Sequence, residues 1–424
     1  MKKILKSIVA FFLLIVARAV VHRYHPRIVM VTGSVGKTST KDAVATMLTT
    51  RFFVRASDKS FNSEFGVPFT IFGVKNPWCN PSEWFAVAKS ALALLILPNH
   101  YPNMLVLEVG ADRPGDLARI LRIATPDAVV VTRLPEIPVH IEAYASAEEV
   151  REEEFSPAYA LAAAAPLIVP SDDLYALDMA MRTPAHVISY GAKDNATIRI
   201  TNIDFYKIEG KVVGMQAKVT VDGEHGDLAV MGSVGTTQLL PAAAALSIAQ
   251  AFSIPLSEAL KALEGYEPPP GRGRLLQGRN DSTIIDDSYN SSPAAVEEAL
   301  TTLKTFPHAK RRIAVLGDML ELGRYSVIEH ERIGVLARAS ADMIVAVGIR
   351  ARAFSTTLGD TEVMLFDNSY AAALALPDLI REGDVVLVKG SQSMRTERIV
   401  EALLANLEDV VQLVRQEKGW KKKT

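Results

Sequence analysis

Cysteine, net charge and long apolar runs are all scarce in this sequence. Among its 424 residues only Cys79 is a cysteine. An internal disulfide and a zinc site built from several cysteines are therefore excluded, which favours a reducing compartment on the cytosolic side. Lysine and arginine together number 46 against 48 acidic residues, and the isoelectric point is near 6.5. No overall positive field gathers nucleic acid, so DNA or RNA as a partner is disfavoured.

What the sequence does contain is enough apolar material for a folded chain. The apolar fraction is 49% and the charged fraction 22%, which allows two or three globular domains with real cores and excludes a disordered chain. We find no internal repeat and no low-complexity tract beyond the basic end KGWKKKT.

The N-terminus carries an apolar run over residues 8–21 that Arg18 interrupts and that lysines precede. A membrane-spanning helix needs about 20 apolar residues, so this run is short for one. Three interpretations stay open: a helix associated with the inner face of a membrane, a helix packed on the protein, and an export signal. Residues 84–97 form a second apolar stretch, which predicts either a buried helix or a partner of the first in one membrane-facing patch.

Strand-like and helix-like segments alternate along the rest of the chain, and this alternation predicts an α/β fold. Three consecutive prolines at 268–270 mark a boundary. We therefore predict an apolar N-terminal helix over 1–26, a central domain over 27–266 and a C-terminal α/β domain over 267–424. Residues 196–230 instead suggest antiparallel strands that meet near Glu209 and Gly210.

A phosphate-binding loop is predicted where a β-rich run ends and a helix begins. Backbone N–H groups and the helix dipole converge there on an anion. Lys37 is expected to reach the β- and γ-phosphates, and the Thr38 hydroxyl to bind Mg²⁺. A site that needs ATP argues against export. The loop residues predicted to bind nucleotide are Gly33, Ser34, Val35, Gly36, Lys37, Thr38 and Ser39.

Seven motifs in order make the chain resemble the Mur ligases of peptidoglycan synthesis, most closely the MurF branch. The motifs are TGSVGKTSTKD, FNSEFGVPFTI, LVLEVGADRPGDL, GRGRLLQG, IIDDSYNSSPAAVEEAL, AVLGDMLELG and GDVVLVKGSQSMRTERIVEAL. The resemblance implies a central ATPase domain with a parallel sheet and a C-terminal Rossmann-like domain. It also implies an ATP- and Mg²⁺-dependent ligase that joins D-Ala-D-Ala to UDP-MurNAc-tripeptide through an acyl phosphate. Carboxylate and triphosphate repel each other, so such a site must place cations between them.

The resemblance also implies roles for particular residues. Glu108 and His140 match metal-site residues of the family, with a surface acid and a plain loop histidine as the alternatives. A gapless count from His140 places Glu154 where the family carries a carbamylated lysine, and a glutamate supplies the same charge. Glu152, Glu153 or a merely solvated helix start remain alternatives there.

The remaining implied residues belong to the interdomain arginine and the C-terminal domain. Arg274 matches the arginine that contacts the γ-phosphate, and Arg272 is its rival. Asp287, Tyr289 and Asn290 are expected at the nucleotide, with an ordinary turn as the alternative. The acceptor-binding residues implied by the resemblance are Asp318, Glu321, Lys389, Ser391 and Arg395.

Two departures from the family leave the substrate open. Residues 237–242 differ from the family's adenine-side motif, so base contacts are not predicted. Only 26 residues precede the ATPase strand, so we expect the usual UDP-sugar domain to be missing. The alternatives are a different or membrane-linked carboxylate substrate, and a nucleotide-regulated membrane binding protein without ligation. The oligomeric state is not predicted.

Overall fold

A computed structural model describes residues 2–58, 61–77, 80–356 and 360–421. Cys79 and the last three residues of the basic end lie outside the described residues.

The strands, in chain order, are β1 (Arg27–Thr32), β2 (Val54–Ala56), β3 (Met104–Glu108), β4 (Ala128–Val131), β5 (Pro166–Pro170), β6 (His186–Gly191), β7 (Ile198–Ile208), β8 (Lys211–Val221), β9 (Glu224–Met231), β10 (Arg274–Gly278), β11 (Ser282–Asp287), β12 (Arg311–Gly317), β13 (Met343–Val347), β14 (Glu362–Phe366) and β15 (Asp384–Lys389).

The α-helices are α1 (Lys2–Tyr24), α2 (Lys37–Leu48), α3 (Gly66–Phe72), α4 (Pro81–Ile96), α5 (Asp116–Leu121), α6 (Ala147–Tyr159), α7 (Leu174–Ala180), α8 (Leu239–Ala251), α9 (Leu256–Leu263), α10 (Pro293–Thr305), α11 (Ser326–Arg338), α12 (Ser369–Ala375), α13 (Glu397–Leu403) and α14 (Lys418–Lys421). Short 3₁₀ turns join several of them.

The first sheet has the order β2-β3-β1-β4-β5-β6-β7-β8-β9 in the described part of the chain. Its strands from β2 through β7 run parallel, while β8 and β9 pair antiparallel as a meander. The turn between β7 and β8 lies at Glu209 and Gly210, both with positive φ, as predicted. The carboxyl ends of β1 and β3 lie side by side, and this edge positions the phosphate-binding loop and Glu108.

Helices cover both faces of the first sheet because its central strands are apolar on both sides. One face packs against α2 and α8, with Val29 of β1 and Val106 of β3 in that core. The other face carries Ile28, Met30 and Leu107 in a second core shared with α1, α3 and α4. Helix α1 is therefore packed on the protein along one side.

The second sheet has the order β10-β11-β15-β12-β13-β14 among the described residues, and only β10 runs antiparallel to its neighbour. The predicted α/β class is confirmed. The two sheets fall on either side of the triple proline; the predicted domain limits of 1–26, 27–266 and 267–424 stay a prediction. No helix in the described ranges is long and apolar enough to cross a membrane.

Candidate active site

The phosphate-binding loop lies between β1 and α2 and needs glycine at two positions. Gly33 has φ of 113°, and a Cβ there would lie 2.4 Å from Thr132 Oγ1. Gly36 has φ of 91° and immediately precedes the first residue of α2. Both values lie in the region that favours glycine, so the chain turns tightly and aims the N-terminus of α2 at the loop. That geometry is suited to an anion.

Lys37 begins α2 and folds back over this loop. Its Nζ donates to the carbonyl of Gly33 and lies 3.5 Å from that of Ser34. The ammonium group also lines the cavity beside the loop, together with two buried carboxylates described next. A phosphate in the cavity would therefore meet this cation directly.

Glu108 ends β3 beside the loop and is buried. Asn62 Nδ2 lies 3.4 Å from its Oε1, whereas Oε2 has no hydrogen-bond partner among the described residues. Burial raises the pKa of this carboxyl, and the charges of Lys37 and Lys41 counteract part of that rise. An orphaned, buried carboxylate oxygen next to a phosphate-binding loop is a fitting ligand for a hard cation.

The three consecutive glutamates of α6 point to different surroundings. Glu154 is buried, and its Oε2 accepts a hydrogen bond from Ser34 Oγ of the phosphate-binding loop. Glu153 accepts from the backbone N–H groups of Gly115 and Leu117 at the start of α5. Glu152 pairs at the surface with Arg182. Only Glu154 therefore faces the loop, where burial raises its pKa and the charge of Lys37 opposes the rise.

His140 connects the two halves of the molecule. Its Nδ1 lies 2.9 Å from Glu321 Oε2, and its Nε2 lies 3.6 Å from Asp112 Oδ1. Burial lowers the pKa of the imidazole, but the hydrogen bond and charge of Glu321 and the charge of Asp112 outweigh burial, so the pKa is raised. Both ring nitrogens thus lie near carboxylates in this structure, and metal binding by His140 stays a prediction.

One cavity of about 340 Å³ gathers the predicted residues from both halves of the chain. The predicted residues that line it are Ser34, Gly36, Lys37, Thr38, Glu108, His140, Glu154, Tyr289, Asn290, Glu321 and Ser391. Residues distant in sequence thus meet at the facing ends of the two sheets.

The two candidate arginines, Arg272 and Arg274, lie in different surroundings. Arg272 lines the cavity and stacks its guanidinium over the Tyr289 ring, 4.2 Å from the ring centroid. Arg274 is not among the lining residues; its Nε donates to Gln412 Oε1 at 3.1 Å, and its Nη1 lies 3.5 Å from the Pro268 carbonyl. The cavity position therefore favours the rival Arg272, and the phosphate contact of Arg274 stays a prediction.

A smaller neighbouring cavity of about 60 Å³ holds four more of the predicted residues, which are Val35, Ser39, Asp287 and Lys389. Lys389 is buried, and its Nζ donates to Asp287 Oδ2 at 2.7 Å and to the Asn290 carbonyl at 2.9 Å. The ammonium group is thus engaged inside the protein, away from the larger cavity.

Asp318 and Arg395 line neither of these two cavities. Asp318 accepts a hydrogen bond from the backbone N–H of Ala351 at 2.8 Å. Arg395 pairs with Glu397 and donates to the carbonyl of Trp420 at 2.9 Å. Their contacts organise loops of the second sheet, and both stay predictions as acceptor-binding residues.

Several lining residues were not singled out by the sequence, among them Asn62 and Asp112. Asn62 lies inside the quoted FNSEFGVPFTI motif, and its backbone carbonyl also accepts from the Gly110 N–H at 3.0 Å. Asp112 lies in LVLEVGADRPGDL. The motifs were the available signal for both, but only folding reveals which of their polar residues face the cavity.

The cavity offers few protein groups that could hold a metal ion without the phosphate oxygens of a nucleotide. Within the described residues, no group of three or more His, Cys, Asp and Glu side chains is placed to hold a metal ion. Mg²⁺, however, is commonly bound by one or two protein groups together with phosphate oxygens and waters. Thr38 and Glu108 both line the cavity and fit that limited role.

Comparison with known proteins identifies the family. A model of the Mur ligase middle domain matches residues 31–249, and one of the Mur ligase glutamate ligase domain matches residues 271–392. The chain belongs to the Mur ligase family. Together the two Mur ligase matches cover every described strand of both sheets apart from the first residues of β1.

Relatives of this Mur ligase carry one name in several bacteria. UDP-N-acetylmuramoyl-tripeptide--D-alanyl-D-alanine ligase of Mycobacterium tuberculosis (strain CDC 1551 / Oshkosh) is 28% identical over 406 residues, 89% of this chain and 73% of the relative. The Escherichia coli (strain K12) ligase of that name is 27% identical over 384 residues, 90% of this chain and 77% of the relative. The predictions of a MurF-type Mur ligase and of a ligase are confirmed.

Solved structures agree on the fold. The MurF ligase from Thermotoga maritima in complex with ADP has a TM-score of 0.76 at 24% identity and covers 95% of this chain and 84% of its own. MurF from Acinetobacter baumannii has a TM-score of 0.77 at 22% identity and covers 94% and 81%.

Proposed function

We propose that this Mur ligase uses ATP and Mg²⁺ to join D-Ala-D-Ala to UDP-MurNAc-tripeptide through an acyl phosphate. The observation that carries the proposal is the single cavity in which the phosphate-binding loop and Glu108 face the loops of the second sheet. The curated relatives act on these substrates by name, which supports the same substrates here.

The first step brings a substrate carboxylate to the γ-phosphorus of ATP. Lys37 and the N-terminus of α2 bind the phosphates, and Arg272 supplies a planar fork of donors from the lining of the same cavity. Thr38 and Glu108 would hold Mg²⁺, which neutralises phosphate charge when bound. The repulsion between the two reacting anions is thereby lowered before they meet.

Glu154 also takes part in this first step, as a positioning residue. Its carboxylate faces the phosphate-binding loop through Ser34 and lies near the charge of Lys37. We assign to it the charge that the family's carbamylated lysine supplies. As a positioning residue, it orients the loop and the ammonium group of Lys37 relative to the phosphates.

The second step is attack by the amine of the acceptor, which displaces phosphate. Asn290, Glu321 and Ser391 lie on the wall contributed by the second sheet, where an acceptor would enter. Ser391 Oγ already accepts from the Leu320 N–H at 2.9 Å, which fixes its position. Glu321 is held by His140 and is therefore more suited to organising the wall than to contacting the dipeptide.

We also propose that the protein works at the inner face of the cell membrane, as the basic and apolar N-terminal sequence predicted. This location concerns α1 and α4 and is separate from the ligation chemistry. A donor attached to the membrane would stand beside the enzyme in that setting, and it remains the alternative substrate.

The test is phosphate release from ATP with the purified chain, with and without membranes, followed by mass spectrometry of the product. We expect release to require both UDP-MurNAc-tripeptide and D-Ala-D-Ala. Release that requires membranes instead would favour the membrane-linked donor. Absence of release under every condition would contradict ligation and favour the binding protein.

Lys37→Ala tests the role of this lysine in the same phosphate-release assay. Loss of the cation at the phosphates is expected to lower the rate by roughly 10²–10³-fold. The control is Lys304→Ala, which removes an exposed lysine of α10 and should leave the rate unchanged.

A further inference from the structure

Helix α1 presents an apolar stripe to solvent. Phe11 and Phe12 are 60% and 62% exposed, and Ile8 and Ile15 extend the same stripe at helical spacing. The opposite side of α1 is buried through Leu13, Ala17 and Val20. The helix is thus apolar on both sides, although only one side is covered by protein.

Helix α4 likewise has one exposed apolar side and one buried side. Phe85 is 75% exposed, and Leu92, Ile96 and Leu97 are also exposed. Val87, Ala91 and Leu94 of this helix are buried. Large exposed apolar side chains gathered on neighbouring helices indicate an interaction surface rather than ordinary surface composition.

The two helices are fixed side by side. Arg23 donates to the carbonyls of Leu95 and Leu97 at the end of α4, and Tyr24 OH donates to Leu94 at 2.8 Å. Tyr24 also stacks on Tyr101, with ring centroids 4.4 Å apart. The buried sides of α1 and α4 enter one common core on the same face of the first sheet. Their exposed stripes therefore point away from that core on the same side of the molecule.

Each stripe contains a cation and almost no opposing charge. Arg18 is exposed in α1, and Lys89 is exposed between Phe85 and Leu92 in α4. The sequence of α1 has no acidic residue and begins with three lysines in its first two turns, while Glu83 is the single acid of α4. Long basic side chains can extend from an apolar surface toward charged headgroups.

We propose that the exposed stripes of α1 and α4, here called the N-terminal face, bind the surface of an anionic lipid bilayer. The aromatic and aliphatic side chains enter the boundary between headgroups and acyl chains, and the basic side chains meet anionic headgroups. The helices lie in the plane of the membrane surface, because the core of the first sheet covers their other side. This inference rests on the membrane location proposed above and names the surface responsible for it, whereas the ligation reaction does not depend on it.

A second copy of the chain is the competing occupant of the N-terminal face. In a two-fold dimer the same face would meet itself, so the cations of α1 and α4 would lie near their own copies without acids to balance them. Anionic headgroups balance the same charges. Charge complementarity therefore favours the bilayer.

The experiment is flotation of the purified full chain with vesicles of phosphatidylcholine, alone or mixed with phosphatidylglycerol. We expect binding to the mixed vesicles that exceeds binding to neutral vesicles at least tenfold and weakens as salt increases. Absence of binding to the mixed vesicles overturns the proposal. So does binding that is equal for both lipids, because it would remove the role of the cations.

Two variants test the two components of the N-terminal face. Phe11→Ser with Phe12→Ser should lower vesicle binding roughly tenfold or more through lost apolar burial. Arg18→Glu with Lys89→Glu should lower binding to the anionic vesicles at least about fivefold for each position. Unchanged binding in both variants contradicts the proposed surface.

Matched controls carry the same changes elsewhere. Val327→Ser with Ile328→Ser removes exposed apolar side chains from α11, and Lys304→Glu reverses an exposed charge on α10. Both should float as the unmodified chain does. Sedimentation equilibrium without lipid completes the test: a dimer that the Phe11 and Phe12 variant dissociates, with no vesicle binding, would assign the face to a second copy.

Discussion

His140 Nδ1 lies 2.9 Å from Glu321 Oε2, and this contact joins the loop after β4 to the loop after β12. The 3₁₀ turns next to both residues also contact each other, and a Cβ on Gly323 would lie 3.3 Å from Glu142 Cβ. The two sheets therefore meet beside the cavity through a titratable pair.

The pair predicts a pH window for this contact. The pKa of His140 is raised in the folded protein. Its contribution to the free energy of unfolding is therefore fully present below the ordinary histidine pKa and is lost as pH rises through the raised value. The pKa of Glu321 is lowered, chiefly by the hydrogen bond from His140. Its contribution to the free energy of unfolding is therefore lost as pH falls through that lowered value. We expect Glu321→Gln to lower the pKa of His140, measured by NMR titration of the imidazole.

The control for this titration is Glu331→Gln, which removes an exposed acid on α11. It should leave the His140 titration where it is in the unmodified protein. An unchanged pKa in Glu321→Gln would show that the two side chains do not pair in solution.

Arg272 and Arg274 form a second matched pair, only two residues apart. Arg272→Ala removes the guanidinium that lines the cavity, and we expect kcat to fall roughly 10²-fold or more. Arg274→Ala removes the contact with Gln412 instead and should alter kcat far less. Steady-state kinetics of both variants decide the assignment, and a larger loss in Arg274→Ala would restore the original prediction.

The sequence predicted the α/β class because strand-like and helix-like segments alternate along it. It also predicted that a helix, α2 in the structure, begins at the phosphate-binding loop. It did not reveal β2 or β6, since β2 is three residues long and the burial of β6 is irregular. Segments with weak periodicity acquire their strand form only from the neighbours that pair with them.

The sequence predicted which residues belong to the candidate site better than it predicted which way their side chains point. The motifs located Lys37, Glu108 and the loops of the second sheet. They could not show that Lys389 forms an ion pair with Asp287 inside the protein. Nor could they show that Arg272 rather than Arg274 lines the cavity. Such details depend on side-chain direction across contacts between residues about 100 positions apart, which no local pattern encodes.

The three consecutive glutamates at positions 152–154 of α6 provide the next prediction. Glu154→Ala should lower ligation strongly, because a buried charge beside the phosphate-binding loop is lost. Glu153→Ala should act on stability instead, since it removes the acceptor of two N–H groups at the start of α5. Its expected cost is about 1 kcal/mol, measured by urea unfolding. Glu152→Ala is the surface control and should leave the rate of ligation unchanged.

Glu154→Lys tests the proposed replacement of a carbamylated lysine. If a lysine at this position is carbamylated, ligation should become dependent on added bicarbonate. Full activity of Glu154→Ala would contradict any role of this carboxylate in the reaction.

Lys389 and Asp287 supply the last prediction, which separates a structural from a substrate-binding lysine. Lys389→Met leaves the largely buried Asp287 carboxylate without its cation, and we expect a loss of about 3 kcal/mol in the free energy of unfolding. Lys389→Met with Asp287→Leu should recover much of that loss, because no buried charge remains unpaired. Lys310→Met breaks the exposed pair with Glu382 and should change stability little. If Lys389 instead binds the dipeptide carboxylate, Lys389→Met would raise the KM for D-Ala-D-Ala while the urea midpoint stayed in place.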